Sequence, residues 1–260
     1  MSRAVFAMDL RLRALSAGLA AAGMAAVILM VGALFPSVGD SIGKLHVPEG
    51  VANLLGGADY STITGWMRSE IGAIYGPLVI AASGIAAAVA ITAGEEESGI
   101  LALVLAYPIE RGRLVLAKGG AVAVVVVIVA AGTWIGLLAG VAAAGGGIST
   151  AHLSAMSLQL AFFGFAVGAL ALALAALTGR KAVAAGGAAA FAVLGFLIDG
   201  FAPLVDGLDW LKYLSPFYYY SGHDPLTNGV DVGGLVVLGA ATIVFGVIAV
   251  VGFRRRDLRA

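Results

Sequence analysis

Long apolar runs alternate with short charged clusters along the whole chain. A membrane-spanning helix needs roughly 20 mostly apolar residues, and six runs qualify: 14–35, 71–93, 114–144, 158–177, 182–198 and 232–253. The third is long enough to tilt or to project beyond a bilayer. The fifth is at the short limit. The pattern predicts an all-α integral membrane protein, with residues 1–260 forming one domain of six transmembrane helices.

The charged clusters orient those helices. Arg3, Arg11 and Arg13 precede the first run, and Arg111, Arg113 and Lys118 lie between the second and third. Arg180 and Lys181 separate the fourth from the fifth, and Arg254, Arg255, Arg256 and Arg259 follow the sixth. Twelve of the 15 Lys and Arg therefore share one side, leaving Lys44, Arg68 and Lys212 for the other. The positive-inside rule places that side, with both termini, in the cytoplasm. An even number of spans requires both termini on one side, so the two observations agree. The basic start and small residues of the first run also fit a signal peptide. Its apolar stretch is too long for one and five spans follow, so an uncleaved first span is expected.

Composition narrows the class further. The chain is 61% hydrophobic and only 12% charged, against about 25% charged in soluble domains. Formal net charge is zero, which gives no support for a nucleic-acid partner. There is no Cys, so disulfides, thiolate metal sites and a Cys nucleophile are excluded. The 38 glycines, with abundant Ala, suit closely packed membrane helices.

Two segments face the outer side. Residues 36–70 read as a mixed outer loop, with Trp66 and Tyr75 flanking the second run as interfacial aromatics do. Residues 199–231 read as a re-entrant or interfacial segment, a broken helical stretch before the last span. Leu204, Leu208, Leu211 and Leu214 predict a short amphipathic helix, with Pro216 ending it or opening a turn. Phe217, Tyr218, Tyr219 and Tyr220 follow. This cluster is open to two readings, an aromatic belt or a substrate contact. Asp199, Phe217 and Tyr218 are the candidate pathway residues. The glycines at 145–147 read as a flexible linker.

The hairpin over 94–113 is the most unusual segment. Glu95, Glu96 and Glu97 stand together, and the twelve mostly apolar residues between Glu97 and Glu110 are too few to cross a bilayer. The acids can open a helix, where they meet the positive end of its dipole. Ser98, Ala102 and Ala106 line one face with small side chains, and Pro108 ends the helix. Arg111, Arg113 and Lys118 then meet lipid phosphates or the acids. One reading makes this a docking helix for a cytoplasmic partner. The other makes it a re-entry turn kept in water by its charges.

The run Glu95-Glu96-Glu97-Ser98-Gly99, then Tyr107-Pro108-Ile109-Glu110-Arg111 and Lys118, resembles the "E-E-x-x-G … P-[IV]-x-R … K" signature of bacterial ABC exporter permeases of the type-two membrane-domain family. Leu214-Ser215-Pro216-Phe217-Tyr218-Tyr219 with Asp224-Pro225-Leu226, and the Arg-rich end at 253–258, are similar to other parts of that family. One departure is Tyr107, where the family often has Ser or Thr. The resemblance implies a permease subunit of an ATP-driven exporter in the bacterial cytoplasmic membrane, moving a hydrophobic or amphipathic drug or lipid. It implies pairing with a second permease subunit, often a second copy, and with separate ATPase subunits. Residues 95–107 would form the cytoplasmic coupling helix. Glu95, Glu96, Glu97, Gly99, Pro108, Arg111 and Lys118 would carry the coupling, and 1–13 would form a cytoplasmic elbow helix.

The chain holds no G-x-x-x-x-G-K-[ST] sequence. ATP and Mg would therefore be bound by the partner, with no cofactor in this chain and no catalysis of its own. An H-E-x-x-H zinc motif is absent as well. The alternative is an ATPase-independent secondary transporter or channel, which usually holds ionisable residues within its spans. Here the six runs are nearly free of them.

Overall fold

The computed structural model describes residues 2–42, 59–107 and 109–256. Among them every regular element is helical. α1 covers Ser2–Ile42. α2 (Ile63–Met67) runs into a π-helix, Arg68–Tyr75, and then α3 (Gly76–Ala90). The hairpin holds two short helices, α4 (Ala93–Glu97) and α5 (Ile100–Leu105). α6 (Arg111–Ala143), α7 (Thr150–Thr178) and α8 (Lys181–Phe201) follow. Two 3-10 turns, Ala202–Leu204 and Asp209–Leu214, lead to α9 (Pro216–Ser221), α10 (Pro225–Asn228) and α11 (Val232–Arg255).

Among the described residues, six helical stretches are long and apolar enough to cross a membrane: Arg3–Ser37, Ile63–Glu97, Arg111–Ala143, Thr150–Thr178, Lys181–Leu204 and Val232–Arg255. Each overlaps a predicted run and extends it at one or both ends. Helix is the form that satisfies backbone N–H and C=O groups within one segment where water is absent. The elbow expected over 1–13 is not a separate element. Arg, Leu, Met and Ala favour helix throughout this region, and α1 passes unbroken from Ser2 into the apolar run.

α7 is the axis of the bundle and packs against α3, α6, α8 and α11. Two thirds of its apolar stretch is buried, against 17% for α8 and for α11. α1 lies along α6 through a ladder of small residues. A Cβ on Gly132 would lie 2.5 Å from the carbonyl oxygen of Ala21, and one on Gly136 2.8 Å from the Cα of Ala25. A Cβ on Gly140 would lie 2.6 Å from the carbonyl oxygen of Ile28. The four-residue spacing puts all three glycines on one face of α6, so the backbones touch directly, as in other small-x-x-x-small membrane contacts.

The start of α1, the hairpin, the α7–α8 turn and the end of α11 meet at one end of the bundle, the basic end. Arg68 and Lys212 lie at the other, the distal end. Of the expected outer loop, 43–58 falls outside the described residues. Trp66, expected at an interface, turns inward and is 6% exposed. Its Nε1 donates to the Val31 carbonyl at 3.0 Å. The amphipathic helix expected through Leu204–Leu214 is instead two 3-10 turns, because Pro203 and Gly207 (φ +81°) interrupt it. Leu204, Leu208 and Leu214 stay exposed.

Candidate functional site

α3 ends at Ala90, and the Thr92 hydroxyl donates back to the Ala88 carbonyl. The next turn, α4, carries the three acids. Successive helical residues are rotated by roughly 100°, so adjacent carboxylates point in different directions. Each finds a different helix. Glu95 takes the ammonium of Lys118 on α6 at 2.7 Å. The same ammonium lies 3.5 Å from Asp9 on α1. Glu96 pairs with Arg256 beyond α11. Glu97 pairs with Lys181 on α8 at 3.4 Å and accepts its backbone N–H at 2.8 Å.

The three ties differ in burial. Asp9 is fully buried, Lys118 is 2% exposed and Glu95 8%. Charges survive there only because they answer one another. Glu97 and Lys181 are close to half exposed, where an ion pair contributes about 0–1 kcal/mol. Glu96 and Arg256 lie between these extremes. Gly179, which ends α7 at φ +62°, lies beneath the Glu96–Arg256 pair. A Cβ there would lie 2.0 Å from Arg256 Nη1 and 2.6 Å from Glu96 Oε1.

The acids do not open one long coupling helix. Gly99, at φ +76°, stops α4 and turns the chain into α5. Glycine takes that conformation without the Cβ clash an L-residue suffers. Leu101 is buried, whereas Leu103 is 71% and Tyr107 64% exposed, with Ile100 beside them. The small-residue face is outward as well, since Ser98, Ala102 and Ala106 are exposed. Pro108 lies outside the described residues. After it, Glu110 pairs with Arg254 and, at 3.1 Å, with Arg113. Arg111 donates to the Arg256 carbonyl at 2.9 Å.

At the distal end, Arg68 pairs with Asp224 at 3.1 Å. Ser215 caps α9, accepting from Phe217 N at 3.0 Å and donating to the Gly195 carbonyl at 2.7 Å. The aromatic cluster divides by helical spacing. Phe217 and Tyr220, three residues apart, face the core at 6% and 0% exposure. Phe217 meets Phe163 and Phe196 edge to face, ring centroids 4.9 and 5.4 Å away. The Tyr220 hydroxyl donates to the Gly72 carbonyl at 2.9 Å, inside the π-helix. Burial pushes that hydroxyl's pKa up from its ordinary value. Only Tyr218 and Tyr219 remain half-buried at the edge, as a belt would be. They pack against each other, and Tyr218 also against Tyr213.

Three cavities that share wall residues follow one another along a groove, from the π-helix and α10 at the distal end, past α3 and α8, to the basic end. The distal one, about 290 Å³, is lined by Arg68, Met156, Asp199, Ser221 and Asp224. The middle one, about 280 Å³, is almost wholly apolar, with Leu78, Ile85, Phe163, Phe196 and Phe217 in its wall. Ala73 belongs to both. The third, about 740 Å³, opens at the basic end past Arg13, Glu95 and Lys181, and shares Ala82, Ile85 and Ala189 with the middle one. Asp199 and Phe217 are thus brought to one groove, and Tyr218 lines none of the three cavities. Asp9 escaped sequence reasoning, and Tyr220 was read only as one of the aromatic cluster, without its inward role. Asp9 gave no signal among the basic residues of its segment. Tyr220 did, through its i,i+3 spacing from Phe217.

Residues 3–254 match a family model described as "Multidrug efflux system permease Rv1217c, C-terminal domain". No curated protein matches the chain.

Proposed function

As the chain belongs to this multidrug efflux permease family, we propose that it is the membrane subunit of an ATP-driven exporter of the ABC type-two class. In this reading two permease subunits, most simply two copies of this chain, pair with separate ATPase subunits that bind ATP and Mg. The chain itself catalyses nothing. The basic end faces the bacterial cytoplasm, following the positive-inside rule. The cargo is a hydrophobic or amphipathic drug or lipid, and the groove past α3 and α8 is its path. A second copy laid against α1 and α8, whose apolar faces are largely open, would close that groove.

One observation carries the coupling role: α5 and the bend after it offer Ile100, Leu103 and Tyr107 outward while α4 is tied to α1, α6, α8 and the end of α11. An ATPase pressing on α5 would move the ends of those helices together. Coupling then belongs to two sets of residues. Leu103 and its neighbours receive the partner, and Glu95, Glu96, Glu97, Arg111 and Lys118 pass the motion on. ATP acts by favouring one of two permease conformations.

The test is a pull-down of the tagged chain from mild detergent, followed by an ATPase assay. An equimolar ABC ATPase, lost in Leu103→Arg while the permease stays monodisperse, is the expected result. The buried Asp9–Lys118–Glu95 triad favours one rival, an ion-coupled transporter, because ionisable groups inside spans mark such proteins. A preparation that transports with no ATPase present establishes that rival.

A further inference from the structure

The distal cavity combines unequal charges with an apolar neighbour. Arg68 and Asp224 neutralise each other across 3.1 Å. Asp199 also lines the cavity, yet it makes no hydrogen bond or ion pair among the described residues. The nearby cation is Lys212, which acts on Asp199 only through space. Its ammonium lies 5.5 and 5.7 Å from the ring centroids of Tyr213 and Tyr218, and it is not part of the cavity wall. One oxygen of Asp224, Oδ1, is buried without a donor. The lining side chains therefore carry one net negative charge and a spare carboxylate oxygen. Through Ala73 this wall continues into the apolar cavity walled by Phe163, Phe196 and Phe217.

We infer that the groove selects lipophilic cations, with Asp199 holding the cationic group in the distal cavity and the apolar body lying along α3 and α8 among the phenylalanines. The inference rests on the exporter reading and names the cargo class for its path. A carboxylate facing a cavity beside a low-dielectric wall attracts a cation more strongly than it would in water. Aromatic walls favour the same sign, since ring faces are electron-rich. A neutral lipid gains nothing from Asp199, and an anion is repelled by it.

The experiment compares two ions of nearly one shape and opposite charge. Saturable binding of tetraphenylphosphonium and of tetraphenylborate is measured on the purified chain in nanodiscs, with empty nanodiscs subtracted. Tetraphenylphosphonium should bind and tetraphenylborate should not. Asp199→Asn should weaken tetraphenylphosphonium about tenfold, as loss of one partly screened charge contact implies, and Asp199→Glu should keep most of the affinity. Asp199 has no partner to lose, so both variants should fold, and an unchanged elution profile checks it. Equal binding of the two ions, binding of neither, or full affinity in Asp199→Asn overturns the inference. None of those results touches the exporter reading, which stands or falls on the ATPase pull-down.

Discussion

The Lys118 ammonium lies 2.7 Å from Glu95 Oε2, where α6 passes the base of the hairpin. With Asp9 it forms a buried set of two carboxylates and one cation. Removing the cation should be far worse than removing one acid. Lys118→Met strands two buried charges and should cost about 3–5 kcal/mol. Glu95→Gln keeps one carboxylate against the ammonium and should cost less. Thermal unfolding in detergent should rank the two in that order, and adding Asp9→Asn and Glu95→Gln to Lys118→Met should recover most of the loss.

Glu96 and Glu97 separate stability from coupling. The exposed Glu97–Lys181 pair contributes about 0–1 kcal/mol, so Glu97→Ala should leave the melting temperature nearly unchanged. Glu96→Ala should lower it measurably. On the exporter reading proposed above, the double variant should still insert, while its complex with the ATPase subunits hydrolyses ATP with less transport per turnover. An unaltered transport-to-hydrolysis ratio removes both acids from the coupling path.

Gly179→Ala should mimic the loss of Glu96. The left-handed backbone disfavours alanine by about 1–2 kcal/mol, and the methyl group displaces the Glu96–Arg256 pair. A double-mutant cycle tests the link. Gly179→Ala and Glu96→Ala should together cost less than their sum, since both break one contact.

Gly136→Val should part α1 from α6, because the side chain would run into the Ala25 backbone and the Ile28 side chain of α1. A steep drop in folded yield is expected. Gly186→Ala, which meets nothing within 4 Å, is the matched control and should express normally.

Tyr220→Phe leaves the Gly72 carbonyl without its buried donor and should destabilise by about 1–3 kcal/mol. Tyr218→Phe should leave both melting and transport intact. Equal effects at the two positions would contradict the division of this cluster into inward and edge rings.

The six membrane-length helices were legible because lipid imposes one coarse requirement, a long apolar run, and 182–198 met it even at the short limit. The acids were one of two partners that charge alone offered Lys118, lipid phosphates being the other, and the structure pairs it with Glu95. Its burial was not legible, because a lysine six residues past Gly112 reads like its neighbour Arg113, which is in fact exposed. Gly99 was recognised as part of a motif and not as a helix stop, since an isolated glycine only lowers helix preference until its φ is known. Residues 199–231 are the broken helical stretch the sequence predicts, and only 204–214 within them was misread. The Leu204–Leu214 spacing is helical, but Pro203 and Gly207 outweigh spacing over so short a span. Periodicity also gives no account of an acid such as Asp199, whose meaning depends on the cavity beside it.

Three adjacent acids anchored in three directions have a mechanical consequence. A body fixed at one point swivels, and a body fixed at two still rocks about the line between them. Fixed at three points that are not in line, it can do neither. α4 is mounted in this way, through Lys118, Arg256 and Lys181. Rotation of the neighbouring turn is thereby resisted most firmly at the buried Lys118 mount and least at the exposed Lys181 one. Inserting a single residue between Glu95 and Glu97 would rotate part of that mount by about 100° and leave a hinge where there had been a rigid seat.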